Sequence, residues 1–322
     1  MLKLRLKRAT YSGSAAHIFV LLPFIIGCSE SLTQTEGSDF DLTEFAARFD
    51  PGSIIGAPRL VDCTLAEGME STCVEVTLPV DPATFNIGPW CPTNIEDDAS
   101  EGGIWLESGQ VWDVDGSFIE NLATFYDDPA WRMYDSATGA VNVTNSREAC
   151  AAAARPDVDP QYTNFCVQCL ASYVEDGLTS TYVIPIKPVA AVQTARLGHT
   201  GVGLAYSGLR LDAPAPTHAI LSAYTLAPFD DCGGHVNLNA GYHVHAITDC
   251  LSEIPTQGEH APEIGLALDG YPLHSLMNLD GSLPSDLDSC RGHTTTGEGY
   301  HYHVGEAGSN EILPCHSGQL AR

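Results

Sequence analysis

The C-terminal third of the chain repeats itself, and that repeat constrains the fold more than any other feature. One copy reads DDCGGHVNLNAGYHVHA from Asp230 to Ala246, the other DSCRGHTTTGEGYHYHV from Asp288 to Val304. Both reduce to D-x-C-x-G-H and then G-Y-H-x-H, with identical spacing. Upstream of each lies GLA-x-x-G-x-x-L, Gly203 to Leu211 and Gly265 to Leu273. Ser207-Gly208 and Asp269-Gly270 sit there where a two-residue hairpin turn belongs. Similarity over roughly fifty residues per copy implies one supersecondary unit used twice, about 202–250 and 264–315.

Each copy supplies three histidines: His235, His243 and His245 in one, His293, His301 and His303 in the other. Side chains alternate faces along a strand, so H-x-H aims two imidazoles one way and the interleaved Tyr300 and Tyr302 the other. A histidine from the preceding stretch completes a three-nitrogen set. Three imidazoles with an open position suit zinc, and imidazole suits copper as well. The six rings then hold two metals at a shared interface or in two separate mononuclear sites. The structural alternative is that each ring serves a local hydrogen bond, with Asp230 or Asp288 accepting. His274 and His316 lie near enough in sequence to act as reserve ligands. Asp249 and Glu298 flank the histidine strands as candidate supporting carboxylates.

The first residues carry Lys3, Arg5, Lys7 and Arg8, then an apolar run from Ala15 to Ile26 ending in Gly27-Cys28. This has the form of an export signal over 1–27, and its end resembles a bacterial lipobox, with Cys28 as the lipidated residue. The resemblance implies a lipid-anchored envelope protein, with Ser29 after the cysteine favouring the outer membrane. Of 11 cysteines, assigning Cys28 to lipid leaves ten, an even count that reads as a disulfide framework in an exported chain. Cys232 with Cys250 and Cys290 with Cys315 close the two histidine-bearing loops. The pairing of Cys63, Cys73, Cys91, Cys150, Cys166 and Cys169 stays open, Cys166-x-x-Cys169 reading as structural before redox.

The formal net charge is −27, and without the leader 10 basic residues face 41 acidic ones. Such a surface repels nucleic acid and anionic headgroups, and suits a salty exterior. Residues 28–50 read as anchor and tether, with a helical turn at Phe45 to Phe49. Residues 51–103 read as an N-terminal β segment, and 104–318 as the repeat-bearing domain. Strands are expected at Thr72–Leu78 and Thr181–Ile186, with Pro185 marking an edge. A hairpin turns at Ser108-Gly109, Asp115-Gly116 makes a further turn, and Ser146 caps a helix that Pro156 ends. The class expected is mainly β with a few short helices, disulfide-stapled and internally duplicated.

The motifs resemble those of the YHYH family, whose eponymous tetrapeptide stands here as Tyr300-His301-Tyr302-His303. The resemblance is carried by Gly203–Gly208, Asp230–His235, Tyr242–His245, Cys250, Gly265–Pro272, Asp288–His293 and Tyr300–His303. Copy one departs from it with Val244 in place of the second tyrosine. The resemblance implies an exported bacterial domain and brings no reaction with it. Two functions compete: a metal-binding envelope lipoprotein using copper or zinc, catalytic or not, and a non-catalytic module presenting loops to an envelope protein or polysaccharide. Exposed tryptophans among Trp90, Trp105, Trp112 and Trp131 would favour the second.

Overall fold

The computed structural model describes residues 40–82, 85–198, 201–256 and 258–322. The leader, Cys28 and His199 fall outside the described residues. Asp41 caps α1 (Leu42–Ala47) by accepting from the amides of Thr43 and Glu44. There follow β1 (Arg59–Thr64), β2 (Glu70–Pro79), the hairpin β3 (Ile104–Glu107) and β4 (Gln110–Asp113), α2 (Gly116–Phe125) and α3 (Arg147–Ala153). Next come β5 (Thr179–Pro185), β6 (Ala190–Arg196), β7 (Gly203–Ala205), β8 (Arg210–Leu211) and α4 (Thr217–Ser222). Then β9 (Gly234–Asn237), β10 (Gly241–Val244), β11 (Glu263–Ala267), β12 (Pro272–His274), β13 (Gly292–Thr295), β14 (Gly299–His303) and β15 (Cys315–Gly318) complete the chain. Fifteen strands against four short α-helices make the described residues mainly β.

The duplication is built as one eight-stranded sheet in the order β13-β14-β12-β11-β7-β8-β10-β9. Copy one contributes β7-β8-β10-β9 and copy two β11-β12-β14-β13, the same order run outward from a shared centre. At that centre β11 pairs antiparallel with β7, Leu266 opposite Leu204, Gly265 opposite Ala205 and Ala267 opposite Gly203. The motif positions are therefore related by a twofold through the Leu204–Leu266 pair. Gly203 and Gly265 are needed there: a Cβ on either would meet the partner strand's carbonyl oxygen, at 2.1 Å and 2.2 Å. The expected Ser207-Gly208 and Asp269-Gly270 turns join β7 to β8 and β11 to β12. Gly208 and Gly270 take φ of +80° and +90°.

The tyrosine face of the sheet packs into the largest apolar cluster, with Leu211, Val236, Tyr242, Val244, Leu273 and Tyr302. Val80 and Trp90, from the segment before residue 104, join it. On the other face Leu204, Tyr206, Leu266 and Leu268 meet Phe45, Phe49 and β2. Tyr206 donates to Glu263, Glu263 pairs with Arg48, and the Arg48 guanidinium lies 4.6 Å over the Tyr206 ring. The chain from Phe40 onward is thus packed on the sheet, and the folded part begins ahead of the tether boundary expected at residue 50.

The Ile104–Asp113 hairpin forms as expected, with Ser108 and Gly109 at φ of +54° and +76°. Pro185 does end an edge strand, β5 being outermost in β1-β2-β5. Ser146 Oγ accepts from Ala149 N at 3.1 Å, capping α3. Asp115-Gly116 is no simple turn: Asp115 is the N-cap of α2, accepting from Phe118 N at 2.7 Å, and α2 buries Ile119 and Leu122. Five disulfides form, Cys63–Cys73, Cys91–Cys166, Cys150–Cys169, Cys232–Cys250 and Cys290–Cys315. Cys166 and Cys169 each pair elsewhere and make no redox couple. No helix among the described residues is long and apolar enough to cross a membrane.

Candidate metal centres

The six expected histidines separate into two clusters, at opposite ends of the sheet. His235, His243 and His245 form one; His293, His301 and His303 form the other together with His260. Within each cluster the ligand-capable atoms all lie within 4.8 Å of one another. β10 and β14 are five strand steps apart in the sheet, or about 24 Å at ~4.8 Å per step. That decides between the two arrangements open from sequence: the sites are separate.

The local motif explains itself once the side chains are placed. Asp230 Oδ1 accepts from the amides of Cys232 and Gly234, both at 3.1 Å, and Asp288 Oδ1 from Cys290 and Gly292 at 2.8 Å and 2.9 Å. The opening aspartate therefore folds the turn, the cysteine staples it, and the final histidine starts a strand. Tyr242 donates to Asp230 at 2.9 Å and Tyr300 to Asp288 at 2.7 Å. Each phenol crosses the glycine before the ligand histidine. A Cβ on Gly234 would lie 2.5 Å from Tyr242 Oη, and one on Gly292 2.0 Å from Tyr300 Oη. Burial pushes the Asp230 carboxyl up, against hydrogen bonds from Gly88, Gly234, Tyr242 and Cys232 that favour its charged form. These aspartates are committed to turn and tyrosine, so the expectation that they accept from histidine does not hold.

The histidines find other acceptors, and the pattern repeats between copies. Nδ1 of His243 bonds to Gly241 O and Nδ1 of His301 to Gly299 O, both at 3.0 Å. His245 Nδ1 bonds to Ala213 O at 2.5 Å and His303 Nδ1 to Ser275 O at 2.9 Å. His293 Nδ1 meets Asp286 Oδ1 at 2.9 Å, while His235 bonds to the backbone of Pro228, which has only a carbonyl to offer. A carbonyl or carboxylate can only accept, so each Nδ1 named in these bonds is the donor, which leaves Nε2 as the ligand atom of a neutral ring. His260 Nδ1 likewise meets Ala261 O at 3.1 Å.

In the second cluster His293 Nε2 lies 3.0 Å from His303 Nε2, and His301 Nε2 3.0 Å from His260 Nε2. Two ring nitrogens so close need a proton or a metal cation between them. Nitrogens at ~2.0–2.1 Å from a tetrahedral zinc stand about 3.3 Å apart, and these separations are near that value. The donor set fits a borderline transition-metal ion, and the anchored Nδ1 atoms supply the outer hydrogen bonds that orient such ligands. Burial first, and the neighbouring rings, hold His301 and His303 down at about 3. Burial and His243 do the same for His245, also at about 3. His235 and His243 are lowered too, again chiefly by burial. These rings stay neutral, as ligands must be.

His260 is the ligand the repeat did not reveal. It comes from the loop between β10 and β11, outside both motifs, and no spacing signal marks it. Of the reserve ligands, His274 stands beside the second cluster, its ring centroid 4.4 Å from that of His301. His274 Nδ1 is held by Ala261 O at 2.8 Å, and its Nε2 is buried without a hydrogen bond. His316 is elsewhere, its Nε2 bonded to Val202 O at 2.8 Å. Asp249 and Glu298 make no hydrogen bond to a cluster histidine among the described residues; Asp286 is the carboxylate that does.

A β sheet made twofold by duplication, with a histidine cluster at each end, is the class this architecture defines. The family model described as YHYH protein matches residues 181–284, and the chain carries a YHYH-family domain. The match takes in copy one and the β11–β12 hairpin of copy two. It stops before Asp288, so the second histidine set rests on the repeat and the geometry. Neither a curated protein nor a solved structure matches the chain.

Proposed function

We propose that this is a lipid-anchored envelope protein that binds two transition-metal ions, copper or zinc, one per histidine cluster. The observation that carries the reading is the gathering of ring nitrogens in two tight sets, with six of the seven rings anchored through Nδ1 to a carbonyl or carboxylate. Imidazoles used only for local hydrogen bonds have no reason to gather their remaining ring nitrogens at one point. His235, His243 and His245 hold the first ion; His260, His293, His301 and His303 hold the second. A bound ion would supply Lewis acidity or, for copper, redox capacity. The disulfides closing each cluster support it. A crosslink spanning 18 or 25 residues removes unfolded-state entropy worth about 3 kcal/mol, and it fixes the loops that present the rings. Burial of Trp90, Trp105 and Trp131 weighs against a sugar-stacking module, since among the four only Trp112 is exposed.

The test is metal content of untagged protein after dialysis against copper or zinc, read by mass spectrometry. Two ions per chain are expected, one in His245→Ala, one in His303→Ala and none in the double variant. A wild-type chain that retains no ion at micromolar free metal sinks the reading. The anchor is tested separately: Cys28→Ala should move the protein from the membrane fraction to the soluble one, and a variant that still sediments with membranes refutes it.

A further inference from the structure

The two clusters differ in one respect that the repeat does not predict. The second contains four histidines and the first, among the described residues, three. Four protein nitrogens close a tetrahedral ion; three leave a position for an outside ligand. All three histidines of the first cluster also line one cavity of about 230 Å³. Its wall is apolar, with Trp90, Pro156, Val158, Val167, Pro216 and Ile220. Apart from Arg155 and the histidines, the polar side chains on that wall are neutral amides and a hydroxyl, and Asn237 Oδ1 accepts from Asn239 N at 2.9 Å. Gln168 Oε1 accepts from Cys91 N at 3.3 Å, and Thr225 Oγ1 donates to Ile220 O at 2.9 Å. Arg155, the charged residue of the lining, is paired with Asp157. His245 Nε2 is buried with no hydrogen-bond partner.

We infer that the first cluster is a substrate site, where a small, uncharged, largely apolar molecule enters the cavity and places one nitrogen or oxygen lone pair on the metal. The second cluster is a closed centre that takes no outside ligand. This rests on the metal-binding reading above. The chemistry of the occupant follows from the wall. No free charge is there to neutralise an ionic ligand, and burying an uncompensated charge is costly. An apolar cavity of ~150 Å³ suffices for benzene, so this one admits a substituted ring. Apolar walls with a single directing polar element are the usual form of small-molecule sites.

The test uses the full folded chain loaded with cobalt(II), whose visible spectrum reports each coordination sphere. 4-Phenylimidazole, imidazole and imidazole-4-carboxylate are titrated in turn. 4-Phenylimidazole should perturb half of the bound cobalt and bind at least tenfold more tightly than imidazole, with the carboxylate weakest. The perturbation should persist in His303→Ala and vanish in His245→Ala. Ala219→Trp fills the cavity and should abolish the phenyl advantage with cobalt content unchanged; Ala154→Trp, at another lining position, does the same if the first variant folds poorly. Two bound cobalt ions with no preference for the phenyl compound, or a preference that survives both tryptophan variants, overturn this assignment alone. A chain that binds no cobalt overturns the metal-binding reading and this assignment together.

Discussion

His293 Nε2 and His303 Nε2 stand 3.0 Å apart, each on a ring anchored through its Nδ1. The Nδ1 of His293 is spent on Asp286 Oδ1 and that of His303 on Ser275 O. Asp286 is the one carboxylate in this arrangement, and its counterpart in copy one is the carbonyl of Pro228. The carboxylate fixes the orientation of His293 as a ligand. Asp286→Asn should keep two ions per chain and weaken the second site by roughly 10–100-fold. Competition with a chelator, set against the unaffected first site in the same molecule, measures it. Equal loss at both sites would mean that Asp286 acts through the fold and not through His293.

Gly234 and Gly292 are required by the tyrosine that crosses each of them. A Cβ on Gly234 would also come within 2.8 Å of His243 O, which is backbone and cannot rotate away. Gly234→Ala and Gly292→Ala should each cost about 1–3 kcal/mol through overpacking, a drop of several degrees in Tm. Thermal melts of the metal-free chain check this, and unchanged melting would show that the strands part to admit the methyl.

Much of this was legible in sequence because the repeat ties chemistry to position. Fixed spacing put His243 with His245 and His301 with His303 on one strand face, and the structure keeps that alternation. What spacing cannot carry is the twofold. Whether the copies meet through their histidines or through β7 and β11 depends on which strand edges pair, and Gly203 and Gly265 reveal their role only once the strands touch. His260 was hidden for the same reason, being brought in by a loop with no counterpart in the motif. Helix α2 was missed through local ambiguity, because Asp-Gly is a turn signal and Asp115 is equally a helix cap.

Tyr302 and Asp269 form a pair that copy one lacks. Tyr302 Oη donates to Asp269 Oδ2 at 2.5 Å and accepts from Ser317 N at 2.6 Å. The equivalent positions in copy one are Val244 and Ser207, so phenol and carboxylate are absent together. Ser207 Oγ there is buried with no hydrogen bond. Tyr302→Phe should destabilise the chain by roughly 2 kcal/mol, since a hydrogen bond to a charged group is lost and the Ser317 amide is left unpaired. Metal content should stay at two, because the phenol lies on the face opposite the imidazoles. A loss of metal in this variant would tie the tyrosine face to the site.

Acid should undo both the sites and the fold. In the unfolded chain a histidine titrates near 6.5; in the folded metal-free chain His245, His301 and His303 are held down at about 3 and His274 at about 4. Burial is the main cause in each. Between those values the unfolded chain binds more protons than the folded one, so their contribution to stability is full above pH 6.5 and falls as pH drops toward 3. The metal-free protein should therefore melt progressively lower from pH 7 to pH 4.5. The loaded protein should resist further down that range and then release its ions, as protons compete for the same Nε2 lone pairs. Melting curves across that range, with and without metal, separate the two effects. Metal-free Tm values that hold steady to pH 4.5 would mean that these rings carry protons in the folded chain, and the gathered ring nitrogens would lose their meaning.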